Sequence, residues 1–322
     1  MPAPSEPRWD GGEGGPVPAA AATPIRSLLF VPGNRPDRVP KALESGADAV
    51  IIDLEDAVPE RGKEAARRDT VAAIAATAAA GPGGPALFVR VNALEDWAGA
   101  EDVRAVAAPG LAGVVVPKVG GPADVALAAR LLDWSEAEAG LPRGGLAIVP
   151  LLETAAGLRR AYEVGLASRR VMCLGALSAR DGDIQRAVGF RWSPEGTETL
   201  ELRSRVLLDA RAAGTPNPVS GLWTAIRDLD GLRRFAEQNR ALGYAGMMAI
   251  HPAHVPVINE VFAPTAADLD RDRRLVAEME RAQAAGEGAV VFEGVMIDEA
   301  MLASARTRLA RHGAPDAGGS AG

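Results

Sequence analysis

Eight short apolar runs, separated by longer stretches of helical period, constrain this chain more than any other feature. They are SLLFV (27–31), AVIID (49–53), ALFVRV (86–91), GVVVP (113–117), LAIVPLL (146–152), RVMCLG (170–175), a weaker run at 218–222, and MMAI (247–250). Most are apolar at every position rather than at alternate positions. That is the pattern of strands covered on both faces, and hence of a parallel sheet. Ala-, Leu- and Arg-rich stretches lie between them, for instance 36–45, with Pro36 at a first helical position and Gly46 as the stop. About eight strand–helix units over roughly 250 residues are what a closed (β/α)8 TIM barrel requires. An open doubly wound sheet is the alternative. No Gly-x-Gly-x-x-Gly follows the first run, which weakens a dinucleotide-binding version of it.

Aromatic residues make up only 4% of the chain, so the barrel core must be built from Ala, Val, Leu and Ile. The net charge of −7 removes any global electrostatic case for nucleic acid or an anionic membrane as partner. No apolar run reaches the length of a membrane span. The single cysteine, Cys173, cannot close an internal disulfide and reads as a small buried hydrophobe in a reducing compartment. Residues 1–24 are rich in Gly, Pro and Ala, without the basic start and apolar core of a signal peptide, and 313–322 have the same character. Both are expected to be disordered tails on a cytoplasmic protein. The barrel is expected over 25–262. Residues 263–312 then form an extension of loop and helix, a short extended piece and a final helix. Such an extension either caps the barrel, packs on a neighbour or serves as a lid.

In a parallel barrel, chemistry gathers at the C-terminal ends of the strands. The polar residues there are Asn34 and Arg35 after the first run, and Asp53, Glu55 and Asp56 after the second. Arg90 and Asn92 follow on the third, Lys118 on the fourth, and Glu153 and Thr154 on the fifth. Arg180, Asp181 and Asp183 lie past the sixth, and His251 ends the eighth. Carboxylates from three strands, with few His and one buried Cys, suit a hard, oxygen-loving cation such as Mg2+ rather than zinc. Each residue also has a plainer reading. Asp53 and Asp56 could cap the next helix. Arg90, in an apolar strand, must have an anionic partner, either a carboxylate of the chain or one of a substrate. His251 before Pro252 reads as a turn residue. Lys118 could form a Schiff base or pair with the acids.

Taken in order, RSLLFVPGNRPDRVPKALESGADAVIIDLEDAV, VRVNAL, VVVPKV, PLLETAAGL, MMAIHPAHVPVINEVFAP and GVMIDEAM resemble the citrate lyase β-subunit-like proteins of the HpcH/HpaI aldolase family. That group includes malyl-CoA and citramalyl-CoA lyases, and the resemblance runs from about residue 25 to 310. It implies a (β/α)8 barrel, commonly assembled as a homotrimer, with Mg2+ held by the Glu of the ET motif and by an Asp past the sixth strand. The first maps onto Glu153. For the second, relatives place the Asp six residues before a Gly; here that points from Gly189 to Asp183, with Asp181 as the alternative, in a segment longer than the family pattern.

The resemblance further implies that Phe30, Arg35 and Lys41 hold the acyl-CoA and that Arg90 clamps the substrate carboxylate. Arg35, Arg38 and Lys41 form a local basic stripe suited to CoA phosphates. Glu55 and Asp56 become holders of the metal's waters, and Asp298 of GVMID becomes a lid residue that enters a neighbouring subunit's site. The implied activity is Mg2+-dependent cleavage or formation of a carbon–carbon bond in a 3-hydroxyacyl-CoA, giving acetyl-CoA and a 2-keto acid. Arg90 and Asp298 are its catalytic residues. The alternatives are a thioesterase on the same ester, a citrate lyase β subunit with an acyl-carrier partner, and a metal-dependent aldolase on free keto acids.

Overall fold

The computed structural model describes residues 18, 24–81, 83–175 and 179–312, so the two expected tails lie almost wholly outside the described residues. The chain divides into two compact units, Met1–Phe262 and Ala263–Gly322.

In the first unit eight parallel strands, β1 (Ser27–Pro32), β2 (Ala49–Asp53), β3 (Ala86–Arg90), β4 (Gly113–Val116), β5 (Ala147–Pro150), β6 (Cys173–Leu174), β7 (Asn217–Ser220) and β8 (Gly246–Ala249), follow the order β5-β4-β3-β2-β1-β8-β7-β6. Ile148 of β5 bridges Val171 just ahead of β6, with Ile148 N donating to Arg170 O at 2.7 Å and Met172 N to Ile148 O at 3.1 Å. The sheet thereby closes into the expected barrel. Helices α1 (Val39–Leu43), α2 (Lys63–Ala80), α3 (Trp97–Val106), α4 (Pro122–Ala139) and α5 (Ala155–Arg159) follow the first five strands. Helices α6 (Ala161–Leu166), α7 (Asp183–Val188), α8 (Leu200–Ala212), α9 (Leu229–Leu242) and α10 (His254–Phe262) complete the unit. The largest fully buried side chains are Leu and Ile apart from Arg203 and Phe88, as the scarcity of aromatics requires.

Two elements depart from expectation for local reasons. The helix expected over 36–45 is a 3-10 turn, Pro36–Arg38, followed by α1. Pro40 lacks an N–H and its ring would meet the carbonyl of Pro36, so one continuous α-helix cannot run through it. The sixth strand, expected over 170–175, is reduced to Cys173–Leu174, paired with Asn217 and Pro218. Pro218 has no N–H to extend that ladder. A Cβ on Gly175 would lie 1.6 Å from Val219 O, so the chain beyond β6 crosses against β7's backbone, where only glycine fits.

The thin β5–β6 seam is reinforced by side chains. Arg170 sends Nη1 to Glu136 Oε1 and to Leu146 O, both at 2.7 Å, and Nη2 to Glu136 Oε2 (2.6 Å) and Asp133 Oδ1 (2.7 Å). Glu136, fully buried on α4, also accepts from Gly144 N and Leu146 N at 2.8 Å each. A buried carboxylate with all these partners satisfies the charge that burial would otherwise penalise.

The second unit contains α11 (Ala266–Ala284), strands β9 (Val290–Phe292) and β10 (Val295–Ile297), and α12 (Glu299–His312). Its core is Leu275, Met279, Phe292, Ile297, Leu302 and Ala305. The single extended piece expected here is an antiparallel hairpin: Glu293 (φ 49°) and Gly294 (φ 79°) are both left-handed, as a two-residue turn matched to strand twist demands. Among the described residues no helix is long and apolar enough to cross a membrane.

Candidate active site

A cavity of about 450 Å3 lies at the C-terminal ends of the strands. Phe30 and Pro32 of β1 line it, with Asp53, Asp56 and Ala57 after β2, Arg90 of β3 and Glu153 after β5. Ala179, Arg180, Gly182 and Asp183 after β6, Leu222 and Thr224 after β7, and Ile250 after β8 complete the wall. A larger groove, about 770 Å3, lies on the outer surface between α2, α3 and α4. Its cations are already paired, Lys63 with Glu60, Arg67 with Asp102 and Arg104 with Glu138, and it brings no strand ends together.

Gly33 opens the turn out of β1. Its N donates to Asp53 O at 2.8 Å and a Cβ there would sit 2.8 Å from the same oxygen, so the turn can lie flat over the end of β2 only with glycine. Register places Asp53 beside Arg90 on the neighbouring strand. Arg90 Nε and Nη2 grip Asp53 Oδ1 and Oδ2 at 2.7 Å each. Asp53 also accepts from Glu55 N (3.0 Å) and Ala57 N (3.2 Å), shaping the turn after β2. The anionic partner that Arg90 needs is therefore a carboxylate of the chain. Arg90 Nη1 is shared by Glu55 at 3.0 Å and Asp56 at 3.6 Å, and its Cζ sits 5.2 Å from the centre of the Phe30 ring. Burial lowers the Arg90 pKa, but Asp53 and the further carboxylates outweigh it and hold the guanidinium firmly charged.

Lys118 occupies a left-handed backbone position, φ 53°, which is uncommon for a non-glycine residue. In this conformation its N donates to Glu153 Oε2 at 3.1 Å while Nζ bonds Glu55 and reaches Asp56 Oδ1 at 3.3 Å. Burial pulls the ammonium down, yet Glu55 and Asp56 push it up to about 12. A lysine so firmly protonated is a poor Schiff-base nucleophile, and of its two expected roles it takes the pairing one. Burial also raises the Glu55 carboxyl against the pull of Arg90 and Lys118. At Asp56 burial acts the same way, but the hydrogen bond with Glu55 and the two cations leave its carboxyl below the usual value.

Glu153 is set by Thr154, the N-cap of α5, whose Oγ1 accepts from Gly157 N (2.9 Å) and donates to Val119 O (3.0 Å). Burial pushes the Glu153 carboxyl up to about 7; Arg90 opposes this, and Glu55 and Asp183 add to it. Asp183 begins α7, lines the cavity and pairs with Arg186. Asp181 is 78% exposed, pairs with Arg180 at 3.4 Å and does not line the cavity. Among the described residues no three His, Cys, Asp or Glu side chains converge on a metal position. Mg2+ asks for less, one or two carboxylates and its own waters. Glu153 and Asp183, facing one cavity, fit that demand.

The remaining expected residues are dispersed. Arg35 is exposed and bonded through Nε and Nη2 to Asp37 at 2.9 and 2.8 Å. Lys41 is exposed on α1, and neither residue lines the cavity. Asn92 turns away, its Nδ2 donating to Asp102 at 2.5 Å. His251 accepts from Ala253 N at 3.2 Å as a turn residue. Asp298, in the second unit, is exposed and caps α12, accepting from Ala300 N (3.1 Å) and Met301 N (3.2 Å). Leu222, Thr224 and Ile250 were not foreseen as wall residues. They follow short strands whose ends carry no acid, and only the closed ring brings them in.

Comparison with known proteins agrees with this architecture. Residues 26–252 match the family described as HpcH/HpaI aldolase/citrate lyase. A citrate lyase subunit beta-like protein of Deinococcus radiodurans is 42% identical over 287 residues, covering 88% of this chain and 96% of that protein. A (3S)-malyl-CoA thioesterase of Cereibacter sphaeroides is 32% identical over 293 residues, covering 91% and 96%. Among solved structures, CitE of Mycobacterium tuberculosis in complex with magnesium, acetoacetate and coenzyme A superposes with a TM-score of 0.70 at 30% identity, covering 91% of this chain and all of that one. The chain belongs to the HpcH/HpaI aldolase/citrate lyase family.

Proposed function

We propose that this protein is a Mg2+-dependent lyase of CoA esters, cleaving or forming the C2–C3 bond of a 3-hydroxyacyl-CoA with release or uptake of acetyl-CoA and a 2-keto acid. The observation that carries this reading is the pair of carboxylates, half-buried Glu153 and Asp183, lining one cavity at the strand ends. The magnesium- and CoA-bound CitE neighbour supports the same ligands. Glu153 and Asp183 would hold the cation, which when bound supplies positive charge for the oxygen that becomes the keto group. Arg90, kept charged and immobile by Asp53, orients the acid half and stabilises charge that develops there. Glu55 and Asp56 are tied down by Lys118 and Arg90, and in this reading they hold waters of the cation, Asp56 from the cavity wall itself. In cleavage the 3-hydroxyl loses its proton, the C2–C3 bond breaks, and its electron pair passes to the acyl α-carbon, which must take up a proton to become acetyl-CoA. Asp298 of a neighbouring subunit is the donor in this reading, with a homotrimer as the assembly and Phe30, Arg35 and Lys41 contacting the CoA.

Thioester hydrolysis is the second reading, favoured by the likeness to a malyl-CoA thioesterase. Purified protein with Mg2+ and a panel of malyl-, citramalyl- and citryl-CoA separates the two. Keto acid without free thiol means lyase, whereas thiol without keto acid means thioesterase. An Asp298→Asn variant with unaltered turnover of either kind would remove Asp298 from the mechanism.

A further inference from the structure

We infer that Trp192 and Trp223 are positioning residues, a two-ring clasp that holds the segment after β6, and with it Asp183, in place for a divalent cation. The clasp adds to the metal reading above, on which it rests, the groups that keep one proposed ligand where it is needed. Strand pairing does not do this, because β6 has two residues and its ladder ends at Leu174 opposite Pro218. Among the described residues, the polar bonds of Arg180, Asp181, Asp183 and Arg186 stay within the segment. Arg180 pairs with Asp181, Asp181 N donates to Gln185 Oε1 at 2.9 Å, and Arg186 pairs with Asp183. Bonds of this kind shape α7 but leave open where it sits against the barrel. Yet α7 lies beside α5, the helix that follows Glu153, so a shift of α7 changes the separation of the two carboxylates.

Apolar contacts settle its place. Ile184 of α7 is buried in the core, and Trp192, just past the end of the helix, stands 5.5 Å from Trp223, ring centre to ring centre, at 56°. Trp223 lies between the wall residues Leu222 and Thr224, so the pair ties two neighbouring stretches of cavity wall together. The line of contacts continues both ways. Arg180 Cζ stands 5.8 Å from the Trp192 ring, Phe235 of α9 meets Trp223 at 5.7 Å, and Arg203 Cζ stands 5.2 Å from Phe235. Arg203 is fully buried and donates to neutral acceptors, Thr199 Oγ1, Asn239 Oδ1, Gln238 Oε1 and Gly196 O, at 2.7–3.1 Å. It fastens the far end of the same segment to α9, and the ring face offsets part of the cost of its burial. Trp223 is buried too, and its Nε1 has no hydrogen-bond partner among the described residues. A buried N–H without a partner is unfavourable, so the contacts of the ring, not its polar edge, keep this indole in place.

The test compares wild type with Trp192→Ala, Trp192→Leu and Trp192→Phe on two measures: amide hydrogen exchange of α7 in metal-free protein, and Mg2+ affinity by calorimetry. Trp192→Ala should speed exchange in α7 by roughly 3- to 10-fold, the scale of one lost ring pair, and leave β1 to β4 unaffected. It should weaken Mg2+ binding by roughly 10- to 100-fold, with kcat recovered at saturating Mg2+. Trp192→Phe keeps a ring in the stack and should stay within about threefold of wild type on both measures. Trp192→Leu is the milder truncation and should show both losses in the same direction should the alanine variant not fold. Unchanged α7 exchange or unchanged Mg2+ affinity in the truncated variants, or a Trp192→Phe variant as impaired as they are, would each overturn the inference. A wild type that binds no Mg2+ would remove the metal reading instead, and the exchange measurement, made without metal, would still decide whether the clasp holds α7.

Discussion

Along the arc from β1 to β5 the strands pair in register over as many as five residues, whereas β7 pairs over only two on each side. The polar groups at the ends of the two arcs differ in the same way. Asp53, Glu55 and Arg90 are buried and lock one another, and Glu153 is fixed by Lys118 and Thr154. Past β6, Arg180, Asp181 and Arg186 are largely exposed, their ion pairs are local in sequence, and Asp181 sits at a left-handed φ of 59°. The well-laddered arc thus carries groups whose geometry the sheet dictates. The sparse arc carries groups set by short-range backbone, where composition can change without disturbing the ladder.

The largest effect expected spans both arcs. Glu153→Gln and Asp183→Asn should each lower kcat/KM by roughly 1,000-fold, the scale of several kcal/mol of lost charge stabilisation. Steady-state rates checked against magnesium titration would sharpen the contrast. Excess Mg2+ should recover part of the loss in Asp183→Asn, where Asp181 is near in sequence, and none in Glu153→Gln. Next comes stability. Arg90→Ala strands buried carboxylates and should cost about 3–5 kcal/mol in denaturant unfolding. Arg186→Ala, which breaks an ion pair on the sparse arc, should cost less than about 1 kcal/mol. Similar costs for the two would break the comparison.

The seam between the arcs gives a pH-dependent prediction. Burial raises the Glu136 carboxyl, but the Arg170 hydrogen bonds and the Leu146 and Gly144 amides outweigh it and hold it below its ordinary value of 4.5. A carboxylate lowered in the folded state contributes its full stability above the unfolded value and loses it as pH falls through the folded one. Glu136→Gln should therefore reduce stability by roughly 1–3 kcal/mol near neutral pH. The gap in Tm from wild type should narrow as the pH is taken below about 4.5. A modest effect belongs also to Gly189, which ends α7 at φ 85° with nothing within 4 Å of an added Cβ. Gly189→Ala should cost about 1–2 kcal/mol, from backbone conformation alone. A larger cost would mean that the sparse arc is packed more tightly than its strand pairing suggests.

What could be read from the sequence follows the same division. Runs such as AVIID are apolar at every position because both faces are covered, so period and length alone identify the strand and place Asp53 at its end. The acids were legible as a cluster, but not as a circuit. Which of Asp53 and Glu55 would hold Arg90 depends on the register of β2 against β3, which no spacing within one strand specifies. Lys118 had two open roles until its Nζ was placed beside Glu55. The sixth strand was overestimated because RVMCLG is apolar throughout, while its length is limited by Pro218 on another strand and by the close crossing at Gly175. The basic stripe was legible as charges, but not the contact of Arg35 with Asp37, two residues away. Asp298 was legible as a motif, and in the folded chain its carboxylate caps a helix.

Cys173, the first residue of the two-residue β6, is fully buried, and burial raises its thiol pKa. It cannot react with a thiol reagent until the backbone on the sparse side of the ring comes away from its neighbours. The chain thus carries one built-in timer. The rate at which a dye labels this single sulfur measures, in seconds or hours, how often the barrel opens there, and any variant that tightens or frays β6 should change that time.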